Sequence, residues 1–144
     1  MTVKQRYMGI QDIAADLHTD GCHFLTLCSI AEEENIRLKK SNPNVDLIDA
    51  IKVSQSKGWF TSEFEGKDAL AFLNYLTGTK WTRTDMVTEL PSKIADNEYT
   101  EVIYYNKANG YKHFRRRYFD TLWDSKTVKC GKILGYYIYT SLEA

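Results

Sequence analysis

Along the first half of the chain, apolar residues recur at helical spacing. After Thr19-Asp20-Gly21, the positions Phe24, Leu27, Cys28, Ala31 and Leu38 share one face of a 3.6-residue period, while Glu32, Glu33, Arg37 and Lys39 fall off it. That pattern predicts a helix over residues 21–39. The turn cluster Ser41-Asn42-Pro43-Asn44 supplies an N-cap, and Leu47, Ile48 and Ile51 form the apolar stripe of a short second helix that stops at Gly58. A third helix is predicted over residues 67–77, with Ala69, Phe72, Leu73 and Leu76 on one face and Gly78 as its stop.

Past Gly78 the residue usage turns to Thr, Val, Ile and Tyr, which suit a pleated, half-buried surface. Residues 99–106 read as a strand, 107–110 as a hairpin loop and 111–119 as its partner. Residues 127–129 and 132–139 flank Cys130-Gly131, whose glycine suits a two-residue turn, and so predict a second hairpin. Helices followed by strands predict an α+β fold, in which helices pack on an antiparallel sheet. No repeat, low-complexity tract or long linker divides the 144 residues, so one domain is expected over 1–144.

Composition narrows the function classes. Lys plus Arg and Asp plus Glu number 19 each, and 43% of residues are hydrophobic, which argues against disorder and against broad nucleic-acid binding. Any basic partner site must be local. No stretch approaches the roughly 20 apolar residues of a membrane span, and residues 1–7 carry no apolar signal core. A cytoplasmic location is expected, with no membrane partner. Three cysteines without CxxC spacing fit a reducing compartment and leave at least one thiol for chemistry or packing.

The segment Asp20-Gly21-Cys22-His23-Phe24 carries the clearest candidate chemistry. A cysteine in the first turn of a helix lies where N–H groups and the helix dipole favour an anion, so its thiolate is stabilised. Gly21 removes a side chain that would block approach to the sulfur. The alternative is that Cys22 is a small buried hydrophobe. A thiol nucleophile needs a base, and of the three histidines His113 fits best, because it lies on a later strand and can reach across the fold. His23 is adjacent to Cys22 and points about 100° away on a helix. Either Asp120 or Asp124 is placed to orient the His113 ring, or to serve as a turn residue. His18, Cys22, His23 and Cys28 do not make a metal site, because the helix begins between His18 and Cys22. Gly9, Gly58 and Gly66 stand alone and form no phosphate-binding loop. No metal or cofactor is expected.

These residues resemble a known pattern. Gly21-Cys22-His23-Phe24-Leu25 with Ile30-Ala31-Glu32, then His113-Phe114, Phe119-Asp120-Thr121-Leu122 and the run from Ser125 to Ile133, are similar to a family of phage and plasmid proteins of unknown function. That family is distantly similar to papain-like cysteine peptidases, especially those that cleave bacteriocin leaders. The resemblance spans about Tyr7 to Tyr139. It implies a papain-like fold with Cys22 as nucleophile, His113 as base and Asp120 orienting the base. Two departures follow from the residues. His113 and Asp120 are seven positions apart, and an unbroken strand would hold them ~23 Å apart on opposite faces, so the chain must bend between them. No glutamine stands shortly before Cys22 as an oxyanion donor, and Gln11 is nearer than Gln5.

Lys112, Arg115, Arg116 and Arg117 add a basic cluster. Period-two alternation puts Arg116 on one face of the strand and His113, Arg115 and Arg117 on the other. With Tyr111, Tyr118 and Trp123 nearby, this cluster suits an anionic ligand such as an acidic peptide, or equally an edge strand charged against aggregation. The expected partner is a peptide or protein. Three functions fit: thiol-dependent cleavage or transfer at an amide or related acyl bond, a peptidase-like cleft retained for binding alone, or a host-directed inhibitor that uses the arginine face.

Overall fold

The computed structural model describes residues 3, 7, 21–106, 112–117, 122–123 and 130–142, with 104–106, 112–117, 122–123 and 130–131 described by backbone alone. Three helices precede the sheet among the described residues: α1 (Cys22–Arg37), α2 (Leu47–Ser56) and α3 (Ala69–Thr77). Five strands follow: β1 (Lys80–Arg83), β2 (Glu98–Asn106), β3 (Lys112–Arg117), β4 (Leu122–Trp123) and β5 (Cys130–Leu142). They form one antiparallel sheet in the order β1-β5-β2-β3-β4. The α+β reading therefore stands.

Local chemistry sets the helix limits. Gly21 is the N-cap of α1, and Asp68 caps α3 by accepting the Ala71 N–H at 3.0 Å. The α3 helix ends at Gly78, whose φ of 76° lies in the left-handed region that costs glycine nothing. The cap of α2 is Asp46, which accepts the Asp49 N–H at 3.2 Å, and not the turn at residues 41–44. Its buried line is Ala50 and Ser54, with Leu47 and Ile51 along the edge. Ile48, expected on that stripe, is 67% exposed.

Helix α1 is the centre of the fold. It packs against α3 on one side and β3 on another, so a single apolar stripe is not enough to satisfy it. Phe24, Leu25, Leu27, Cys28, Ile30 and Ala31 all lose contact with solvent. Phe24 stacks on Phe72 and meets Phe60 and Phe64 edge-on, with centroids 5.2–5.5 Å apart. Val3 and Tyr7 join the same cluster. Glu32, expected off the buried face, is buried too, because its Oε1 accepts the Val45 N–H at 3.0 Å and holds the chain entering α2.

The sheet departs from expectation at its margins. Cys130-Gly131 is no turn: both residues lie within the 13-residue strand β5. Asn106 pairs with Cys130 and Tyr104 with Ile133, so two steps on β2 face three on β5. Gly131 thus sits at a bulge, a second common use of glycine in strands. Gly135 lies against the Met86 side chain and the Val87 carbonyl, where Val87 bridges Tyr136. The short strands β1 and β4 were not anticipated. Among the described residues no helix is long and apolar enough to cross a membrane.

Candidate functional site

Cys22 is the first residue of α1. Gly21 makes no side-chain cap, and the first turn carries no acidic residue, so nothing from the helix itself offsets the positive end of its dipole. The Gly21 carbonyl accepts the Leu25 N–H at 2.9 Å, and the Cys22 carbonyl also accepts the Thr26 hydroxyl at 2.8 Å, which keeps the first turn wound. The residue is only 4% exposed. Burial and helix terminus act on the thiol in opposite directions, the first favouring the neutral form and the second the anion. Cys28 faces no such contest. Burial pushes its thiol well above the ordinary range, and the Glu32 carboxylate adds to the shift, so it stays a neutral core residue.

Beside Cys22 lies a polar joint that the sequence reading missed. His23 donates from Nδ1 to Oε2 of Glu101 at 2.7 Å, and the Tyr139 hydroxyl donates to Oε1 of the same carboxylate at 2.9 Å. Glu101, on β2, is fully buried, and the His23 side chain is 14% exposed. Burial, then the Glu101 charge, holds the Tyr139 phenol well above its ordinary range, so it remains a donor. The ring's opposite edge is closed by Gly66: a Cβ there would stand 2.9 Å from His23 Cδ2 and 3.1 Å from Nε2. Phe60, bridged to Gly66, packs on the ring with centroids 5.8 Å apart. The imidazole is clamped between sheet and loop. A signal did exist, since Glu101 is an acid within an apolar strand, and a buried carboxylate requires partners.

The strand that bears His113 packs against α1. Its register to β2 is unbroken: Thr100 opposes Arg117, Glu101 opposes Arg116, Val102 opposes Arg115, Ile103 opposes Phe114 and Tyr104 opposes His113. His113, Arg115 and Arg117 therefore share one parity and Arg116 the other, as alternation predicts. Glu101 meets α1 through His23, so the β3 positions on the helix-covered side of the sheet are those of Phe114 and Arg116. Strand β4 pairs Leu122 with Arg117 and Trp123 with Arg116, so the chain reverses between residues 117 and 122. Gln11, Asp120 and Asp124 lie outside the described residues.

A cavity of about 230 Å³ lies elsewhere, between the last turns of α1 and α3 and the start of α2, lined by Asn35, Asp46, Asp49 and Tyr75 among others. It is at the far end of α1 from Cys22 and takes no part in the site. No family model, curated protein or solved structure matches the chain.

Proposed function

We propose that this chain is a papain-like, thiol-dependent hydrolase acting on an amide or related acyl bond of a peptide or protein. Cys22 is the nucleophile, His113 the base and Asp120 the residue that orients it. The observation that carries the reading is the seat of Cys22, at the N-terminus of a helix with no side-chain cap and no acid in its first turn. In this scheme His113 takes the thiol proton and the sulfur forms a bond to the carbonyl carbon. The C–N bond then breaks as the imidazolium returns the proton to the leaving amine, and water hydrolyses the thioester to restore the thiol. Arg115 and Arg117 share the parity of His113 and would favour an acidic substrate, with Trp123, Asp124 and Gln11 completing the cleft.

A second reading is a peptidase-like cleft that binds a peptide or host factor without chemistry. The burial of Cys22 and the register of β3, which gives His113 the parity opposite to the helix-covered positions, favour it. Iodoacetamide labelling followed by mass spectrometry separates the two. The hydrolase reading expects Cys22 to label faster than Cys28 and Cys130 at neutral pH, and His113→Ala to slow it while the fold persists. Labelling of Cys22 at an ordinary thiol rate, indifferent to His113→Ala, leaves the binding reading.

A further inference from the structure

The His23–Glu101 joint lies one residue from the proposed nucleophile and is used by no step of the proposed mechanism. We infer that His23 and Glu101 are positioning residues for Cys22, a role that rests on the thiol reading above. First turns fray, and a cysteine at the first helical position keeps the benefit of the helix N-terminus only while that turn is wound and correctly rotated. In α1 no side-chain cap holds the turn, since the N-cap is Gly21. A further holding contact comes from the sheet, at the second helical position, where Glu101 accepts the His23 Nδ1–H at 2.7 Å.

The contact is built to be rigid. Glu101 is fully buried and tied on its other oxygen by Tyr139, itself inaccessible to solvent, so the carboxylate does not swing. Gly66 and Phe60 close on the ring from the loop side. With His23 fixed, the azimuth of Cys22 on the helix is fixed about 100° away, and small misplacements of a reacting group are costly. The far end of α1 has its own joint, in which Tyr99 of β2 donates to Glu34 at 2.8 Å. That joint provides a control 12 residues along the helix from Cys22.

The experiment measures the pH midpoint of Cys22 alkylation by iodoacetamide in the full chain, peptide by peptide, beside the thermal midpoint. Glu101→Gln is the first variant; loss of its negative charge would by itself lower the thiol midpoint, so a rise reports lost placement. His23→Phe, which keeps a ring against Phe60, is the second should the first fail to fold. The expected result is a Cys22 midpoint raised toward the ordinary thiol range near ~8.5, with labelling at pH 7 slowed about tenfold for every pH unit by which the midpoint rises. Tyr99→Phe is expected to lower the thermal midpoint without moving the Cys22 midpoint. A depressed wild-type midpoint that survives both first-joint variants, or that moves equally in Tyr99→Phe, overturns the positioning role alone. A wild-type midpoint already in the ordinary range overturns the thiol reading itself, and the positioning role with it.

Discussion

The two ends of α1 are fastened to the same strand by buried carboxylates, yet in opposite senses. At the N-terminal end the acid belongs to the sheet: Glu101 reaches up to His23. At the C-terminal end it belongs to the helix, where Glu34 accepts from Tyr99 of the sheet and from Nε and Nη2 of Arg37 at 2.6 and 2.7 Å. Each arrangement suits the dipole, with a negative group near the positive end and Arg37 in the last turn near the negative one. They differ in redundancy. Burial alone would raise the Glu34 carboxyl, but hydrogen bonds from Arg37, Ser141 and Tyr99 outweigh it and hold the group below its ordinary value. The N-terminal joint passes to the helix through the His23 ring, which aromatic packing also holds. A saturated joint suits stability, whereas the His23–Glu101 contact, beside the proposed nucleophile, suits placement.

If packing dominates the N-terminal end, Phe24→Ala gives the largest loss. Phe24 is fully buried against three other phenylalanines, and its truncation is expected to cost about 3–5 kcal/mol by urea unfolding. Glu34→Ala should follow at about 2–4 kcal/mol, because it removes the charged acceptor shared by the Tyr99 hydroxyl and Arg37, although the 29% exposure of Arg37 lets water relieve part of the loss. A reversal of that order would break the comparison, since it would make the C-terminal joint the main fastening of the helix.

Gly66→Ala probes the clamp on His23 directly. The added methyl meets the ring at 2.9–3.1 Å, so either loop or imidazole must give, at an expected cost of about 1–3 kcal/mol. Because Gly66 does not have a positive φ, the loss reports the contact and not backbone strain. A neutral substitution would mean that the ring is less tightly held than the N-terminal joint requires.

The helices were legible because their signals are local: Gly21 and Gly78 act on neighbours a few residues away. So were β2 and β3, through alternation around one hairpin. What escaped was non-local or short. Strand β1 has four residues with only Trp81 buried, and β4 has two, too few for any period to declare itself. Gly131 was read as a turn because a bulge and a turn demand the same residue, and only the partner strand distinguishes them. At the site, the seat of Cys22 was legible from Gly21-Cys22 alone. The His23–Glu101 contact joins residues 78 apart, and no periodicity carries such a pairing. Ile48 failed for a related reason, since a stripe gives a helix's apolar face but not the angle at which a neighbour covers it.

The smallest expected effect is also the most specific. Tyr99→Phe deletes one of the donors to Glu34 and leaves the ring in place, so the loss at neutral pH is about 0.5–1.5 kcal/mol. Its pH dependence identifies the carboxylate as the acceptor. A carboxyl held below its ordinary value of 4.5 in the folded state stabilises the fold above that value, and the contribution fades as pH falls through the folded-state value. Removing the Tyr99 donor lets the folded-state value rise, so wild type and variant should differ most above pH 4.5 and draw together below it, as Glu34 takes up a proton in both. Urea unfolding of the two proteins across that range provides the measurement. Parallel stability curves, with a constant gap into acid, would mean that the lost bond did not depend on the Glu34 charge. The C-terminal joint would then be no more electrostatic than the packing at the other end.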